Sequence, residues 1–192
     1  MDSTNLLLTI FYFTVALISI IMYDKANNSY SKESDRIKSF TSFAYLYKII
    51  QSSTLSIAIL SAWSDSPMLF KLFENTVIYK YLGVSLSGLG ITLFAISRFS
   101  LGDNYSPCYD SYIPKSINTS GIYSVIRHPI YTSNLMLIGG VFISSGSMII
   151  LINFFILFIY YLFSAFVEEK ALCNKFPTYF NYMKKTGMFF PT

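Results

Sequence analysis

The chain is short of what soluble enzymes use for chemistry. Its 192 residues include one histidine, two cysteines and one tryptophan, and only 12% are charged. Soluble domains carry nearer 25% charged residues. The low fraction, with 53% hydrophobic residues and a mean hydropathy of +0.49, argues against a water-soluble globule. A single histidine among scattered carboxylates leaves no histidine-rich metal centre. Cys108 and Cys173 lie in unrelated segments without a CxxC spacing. They read as free thiols on a reducing side, forming neither a disulfide framework nor a metal site. The first residues, "MDSTNLLLTIFYFTVALISIIMY", lack the basic n-region and small-residue cleavage site of a signal peptide. The formal charge of +4 is modest, and no nucleic-acid partner is expected.

What is abundant is apolar sequence, in blocks long enough to cross a bilayer. Residues 6–23 form the first. At 1.5 Å per residue such a block is roughly 27 Å of helix, against a hydrocarbon core of about 30 Å. Residues 40–63 form a second, with a polar first half that includes Lys48 and Gln51. Lys48 is near enough to its start to snorkel to the interface. Residues 76–97 form a third, with Gly83, Ser87 and Gly90 suited to close helix packing in lipid. Residues 129–146 and 147–167 form the fourth and fifth, joined at "SSGS" with almost no connector. The expected fold is all-α: an integral-membrane helical bundle of about five transmembrane helices, the last two a tight antiparallel hairpin. It divides into three N-terminal helices over 1–97 and a region of loop, hairpin and tail over 98–192.

Charge placement sets the expected orientation. Five spans put the N-terminus, the 64–75 connector and the "SSGS" turn on one side, with Lys71 and Lys80. Leaving Lys48 aside, the other eleven basic residues, from Lys25 to Lys185, fall on the opposite side. The positive-inside rule makes that side cytoplasmic, with the N-terminus outside.

The polar chemistry gathers on the same side. A loop of about thirty residues, 98–128, is long for so small a chain, and such loops are usually functional or disordered. It leads into "GIYSVIRHPIYTSNL", where Pro129 suits the first position of a helix. Arg127 and His128 there either snorkel toward headgroups, with the tyrosines as an interfacial belt, or line a site. Glu168 and Glu169 end the last span, although neither anionic lipid nor a helix C-terminus favours acids. A tight hairpin brings His128 and Glu168 to one membrane depth on neighbouring helices. The tail aromatics Phe176, Tyr179, Phe180 and Tyr182 read as interface or core.

Three motifs in order, G-x-Y-x-x-x-R-H-P-x-Y, then E-E-x-x-L-x-x-x-F, then Y-x-x-Y, run from Gly121 to Tyr182. Over roughly residues 97–191 the chain resembles the isoprenylcysteine carboxyl methyltransferase-like family of integral-membrane methyltransferases, related to the phospholipid N-methyltransferases. The resemblance implies S-adenosyl-L-methionine as methyl donor, in a cytoplasm-facing pocket roofed by loop and tail. It implies cofactor contacts from Tyr123, Arg127, His128, Pro129, Ile130, Tyr131 and the acidic pair Glu168 and Glu169. Lys115, Ser116, Ile117 and Asn118 would add backbone contacts, and His128 or Tyr131 would be the catalytic helper. The acceptor would be a small lipophilic molecule reached from the bilayer among membrane lipids. Two departures stand out. Ser164 occupies the position, one turn before the acidic pair, where many members place an arginine, and "FPTY" replaces the frequent F-G-x-x-Y.

A second reading is a non-enzymatic multi-spanning protein, a scaffold or transporter subunit. Deep positions are nearly all apolar or small apart from hydroxyls, Gln51 and Asn153. That disfavours a transport pathway and leaves a scaffold open. A third reading keeps the family with N- or S-methylation, or with activity lost. The sequence does not name the acceptor or the oligomeric state.

Overall fold

The computed structural model describes residues 5–17, 36–39, 41–63, 70–74, 76–106 and 110–191. Cys108, Lys25, Lys32 and the end of the expected first span lie outside the described residues. The helices are α1 (Asn5–Leu17), α2 (Thr41–Trp63), α3 (Val77–Leu101), α4 (Pro129–Ser145), α5 (Met148–Lys175) and the short α6 (Tyr179–Met183). Two strands, β1 (Arg36–Ser39) and β2 (Asp110–Tyr112), pair antiparallel.

Local chemistry accounts for the helix ends. Pro129 opens α4, and Gly146, at φ 67°, caps it in the left-handed conformation with its N–H on the Phe142 carbonyl. Only Gly146 and Ser147 separate α4 from α5.

Two expectations need correction. Helix α5 runs to Lys175 rather than 167, so Glu168 and Glu169 lie two turns inside a helix instead of at its end. The segment "EEKALCNK" loses hydropathy while consisting largely of good helix formers, so the apolar run stops before the helix does. The all-α expectation also omitted the strand pair, whose partners stand more than seventy residues apart: Lys38 faces Ser111 and Ser39 faces Asp110. The described parts of the 98–128 loop are accordingly built structure, with α3 reaching into it to Leu101 and 3-10 turns at Gly102–Asn104 and Gly121–Ser124.

The long helices are apolar on their outward faces. On α5, Ile152, Phe155, Ile159, Phe163 and Phe166 are exposed at helical spacing, while Asn153, Leu157, Tyr161 and Ser164 are buried on the opposite face. On α3 the buried residues are Gly83, Ser87, Gly90 and Ser97, and large residues such as Ile78, Leu89 and Phe99 face out. This inverts the pattern of a water-soluble helix. Helices α3 and α5 are long and apolar enough to cross a membrane, and α1 is a shorter apolar helix. Their most apolar windows bury only 22% and 39% of residues, whereas the core helix of a soluble protein is mostly buried.

Small residues on α3 and α4 bring these helices into backbone contact, where a Cβ added to Gly83 would lie 2.4 Å from the Gly140 carbonyl oxygen. Several polar groups inside the bundle are paired across helices. Asn153 donates to Ser53 and Thr54 hydroxyls at 3.1 and 3.2 Å, and the Tyr12 and Ser144 hydroxyls lie 2.6 Å apart.

The two ends of the bundle differ. At one, the 70–74 connector lies on the α4–α5 turn (Leu72 N–H to Gly146 O, 2.8 Å; Met148 N–H to Phe70 O, 3.0 Å), and Lys80 Nζ donates to Asn5 Oδ1. At the other end the strand pair, the structured loop, α6 and the tail gather around His128, Glu168 and Glu169.

Candidate functional site

The site grows from the chain's approach to α4. The stretch before Pro129 borders the tail, with Ile126 bridged to Gly187: Arg127 N–H donates to Gly187 O at 2.8 Å and His128 N–H to Met188 O at 3.0 Å. The Arg127 guanidinium fastens the same tail. Its Nε donates to Glu169 Oε1 at 2.7 Å, and one terminal nitrogen reaches the Met183 and Thr186 carbonyls. His128 Nε2 lies 3.0 Å from the same Glu169 oxygen. Glu169 is 4% exposed. Two cationic-capable partners compensate a carboxylate that burial alone would penalise heavily.

Glu168 faces elsewhere, because consecutive helix residues project about 100° apart. Its Oε1 accepts a 2.6 Å hydrogen bond from the Tyr131 hydroxyl. The Tyr131 ring is held in a stack, 5.3 Å from His128 on one face and 4.7 Å from the fully buried Tyr161 on the other. The two expected helpers are therefore both engaged with acids. The Tyr131 hydroxyl donates to Glu168, while His128 has Nε2 at Glu169 and Nδ1 3.8 Å from Glu168.

Above these residues is a cavity open to solvent. The residues from Arg127 to Tyr131, with Glu168 and Leu172 of α5, form one wall. Described residues between Leu101 and Asn118 form the facing wall, and Tyr123, Tyr179 and Tyr182 close the side. Burial raises the phenol pKa of Tyr123 and Tyr179 well above the ordinary value, and pushes Tyr182 up to about 12 against the lowering effect of Arg127. All three are protonated at neutral pH, and two act as donors, Tyr182 to the Tyr123 carbonyl and Tyr123 to the Ser97 carbonyl.

Of the residues singled out in the sequence, Ser116, Ile117, Asn118, Tyr123, Arg127, His128, Pro129, Ile130, Tyr131 and Glu168 line this cavity. Lys115 and Glu169 do not. Lys115 is exposed and gives its N–H to Asn104 Oδ1, while Glu169 is turned to Arg127 and His128. Sequence reasoning missed the 101–114 contribution, including Asn104, Tyr105, Ser106, Ser111 and Tyr112; loop length was its only signal. Leu172, one turn beyond Glu168 on the same helix face, was accessible from periodicity. Tyr179 and Tyr182 belong to the Y-x-x-Y motif and are walls of the cavity as well as packing.

No curated protein is similar enough to the chain to count as a match. The family model described as phospholipid methyltransferase does match, over residues 78–178. That is more than half of the chain, and it takes in α3, the structured loop, α4 and α5, which build most of the cavity. On this evidence of sequence and site, the chain belongs to the phospholipid methyltransferase family of membrane methyltransferases.

Proposed function

We propose that the protein is an integral-membrane methyltransferase that takes its methyl group from S-adenosylmethionine and passes it to a small lipophilic acceptor. The observation supporting this most directly is the lining of the cavity, with Glu168 the one acid among its described residues and tyrosines around it. The methyl donor offers an already activated methyl on a sulfonium, together with an ammonium and ribose hydroxyls. The lining suits it: a carboxylate pairs with ammonium or hydroxyl donors, and tyrosine faces attract cations. The protein's own tasks are then alignment and exclusion of water. Tyr131, clamped between His128 and Tyr161, fixes the Glu168 carboxylate. The Arg127–Glu169 pair holds the tail that carries Tyr179 and Tyr182 against the opening.

The same reading covers membrane topology. Five spans, the last two a tight antiparallel hairpin, put the cavity and C-terminus at the cytoplasmic face and the N-terminus outside. Leu101, Ile130 and Leu172 in the lining suit a lipophilic acceptor arriving from the bilayer. Position 164 offers that acceptor no cation: Ser164 is fully buried, and its hydroxyl has no hydrogen-bond partner among the described residues. Carboxylate O-methylation, or methylation of an amine or thiol, fits the lining.

Isothermal calorimetry of the purified protein with S-adenosylmethionine tests the proposal. Wild type is expected to bind, and Glu168→Ala to bind about tenfold to a hundredfold more weakly, the worth of a charge-assisted hydrogen bond. Absence of wild-type binding, or affinity untouched by Glu168→Ala, would sink it. Labelled methyl donor supplied to membranes then identifies the acceptor by the lipid fraction that becomes labelled.

A further inference from the structure

The cavity wall formed by described residues between Leu101 and Asn118 contains a buried hydroxyl left unsatisfied among the described residues. Ser111, in the middle of β2, lines the cavity and is 3% exposed. Its buried hydroxyl has no hydrogen-bond partner among the described residues. Buried hydroxyls without partners are costly and uncommon, and each calls for a reason. Neighbouring polar groups on this wall are occupied in shaping it. Ser106 Oγ accepts the Tyr112 N–H at 3.4 Å, Asn104 Oδ1 accepts the Lys115 N–H at 3.0 Å, and Asn104 Nδ2 donates to Ser116 Oγ at 3.4 Å. Ser111 is held in place from behind, where β2 pairs with β1 opposite Lys38.

The two walls differ in chemistry. The wall from residues 127–131 and α5 contributes Arg127, His128 and Glu168, whereas none of the described lining residues from Leu101 to Asn118 is charged. A ligand with a charged end and a neutral, hydrogen-bonding end matches that division. We propose that the Ser111 hydroxyl hydrogen-bonds the nucleoside end of the methyl donor, with the β1–β2 pair as its platform. This rests on the functional reading above and extends it. Tyr105 and Tyr112 line the same wall as Ser111, the Tyr105 ring with the Arg98 guanidinium carbon 4.4 Å from its centroid. The cationic end of the donor is left to Glu168.

Calorimetry with two probes tests the assignment: S-adenosylmethionine, and 5′-methylthioadenosine, which keeps the nucleoside and lacks the amino-acid end. Ser111→Ala is expected to weaken both by a similar factor, about threefold to tenfold, as for loss of one hydrogen bond. Glu168→Ala is expected to weaken S-adenosylmethionine far more than methylthioadenosine. Removing an unsatisfied hydroxyl leaves the ligand-free protein melting at the same temperature or slightly higher. Unchanged affinity for both probes in Ser111→Ala overturns the proposal, as does a loss confined to S-adenosylmethionine or a lower melting temperature with affinity intact. Those failures leave wild-type binding in place. A wild type that binds neither probe removes the functional reading itself.

Discussion

Replacing Glu169 by alanine is expected to cost about 3–5 kcal/mol of stability, the usual penalty for breaking a buried ion pair from one side. The Glu169 and Arg127 side chains are only 5% and 10% exposed, so solvent does little to screen the loss. Without Glu169, the Arg127 guanidinium keeps only the carbonyls of Met183 and Thr186, and His128 loses its Nε2 partner. The tail over residues 183–189 is fastened to this cluster and to the 127–128 backbone, so it loosens with it. At about 2–4 °C per kcal/mol for a chain of this size, the melting temperature in detergent drops by roughly 10 °C. Trypsin cuts faster at the exposed Lys184 and Lys185. Glu169→Gln keeps an acceptor and falls between the two. Glu168→Ala, one residue away, melts close to wild type and loses ligand instead, because Glu168 lines the cavity. Equal melting of Glu169→Ala and wild type would show that the pair does not hold the tail.

Gly140→Leu is the second large effect. A Cβ at Gly140 would sit 2.3 Å from Ser87 Oγ, 2.4 Å from the Gly83 carbonyl oxygen and 2.7 Å from the Ser87 nitrogen. Two of those three atoms are backbone of α3, so the clash is relieved only by moving a whole helix. Overpacking of a close-packed interior typically costs about 1–3 kcal/mol, and leucine, with three carbons beyond Cβ, lies at the upper end or past it. Helix α4 also begins at the cavity wall, so its displacement moves Tyr131 and Pro129, and donor affinity falls together with melting temperature. Gly88 is the control: an added Cβ there meets nothing within 4 Å. Gly88→Ala is expected to be neutral or stabilising by up to about 1 kcal/mol, the helix-propensity gain. Thermal melting of the two variants side by side checks both. A Gly140→Leu protein that melts like wild type would mean that α3 and α4 do not pack on this face.

Much of the architecture was readable before any coordinates. The starts of α3, α4 and α5 fall within a residue of the apolar-block boundaries, because hydropathy, a helix-opening proline and a left-handed glycine act over a few residues. Gly83, Ser87 and Gly90 stood out as a packing face because a small side chain is a local property with a direct geometric consequence, and all three are buried. The error at the end of α5 has the same origin. Hydropathy marks where apolar sequence stops, whereas backbone hydrogen bonding continues through "EEKALCNK" to Lys175.

The sequence by itself thus determined the apolar, membrane-suited character of the helices, their approximate bounds, and a motif set that the family match supports. Only the tertiary structure decided how two adjacent glutamates divide their work. Glu168 turns to Tyr131 and the cavity, while Glu169 turns to Arg127 and the tail. Only the tertiary structure, likewise, brought residues 36–39 beside 110–112 and left the Ser111 hydroxyl buried in a cavity wall. The physical reason is common to both. A side chain's partner is set by a rotation of about 100° per residue and by which distant segment packs opposite, and neither quantity is written in the local run of residue types.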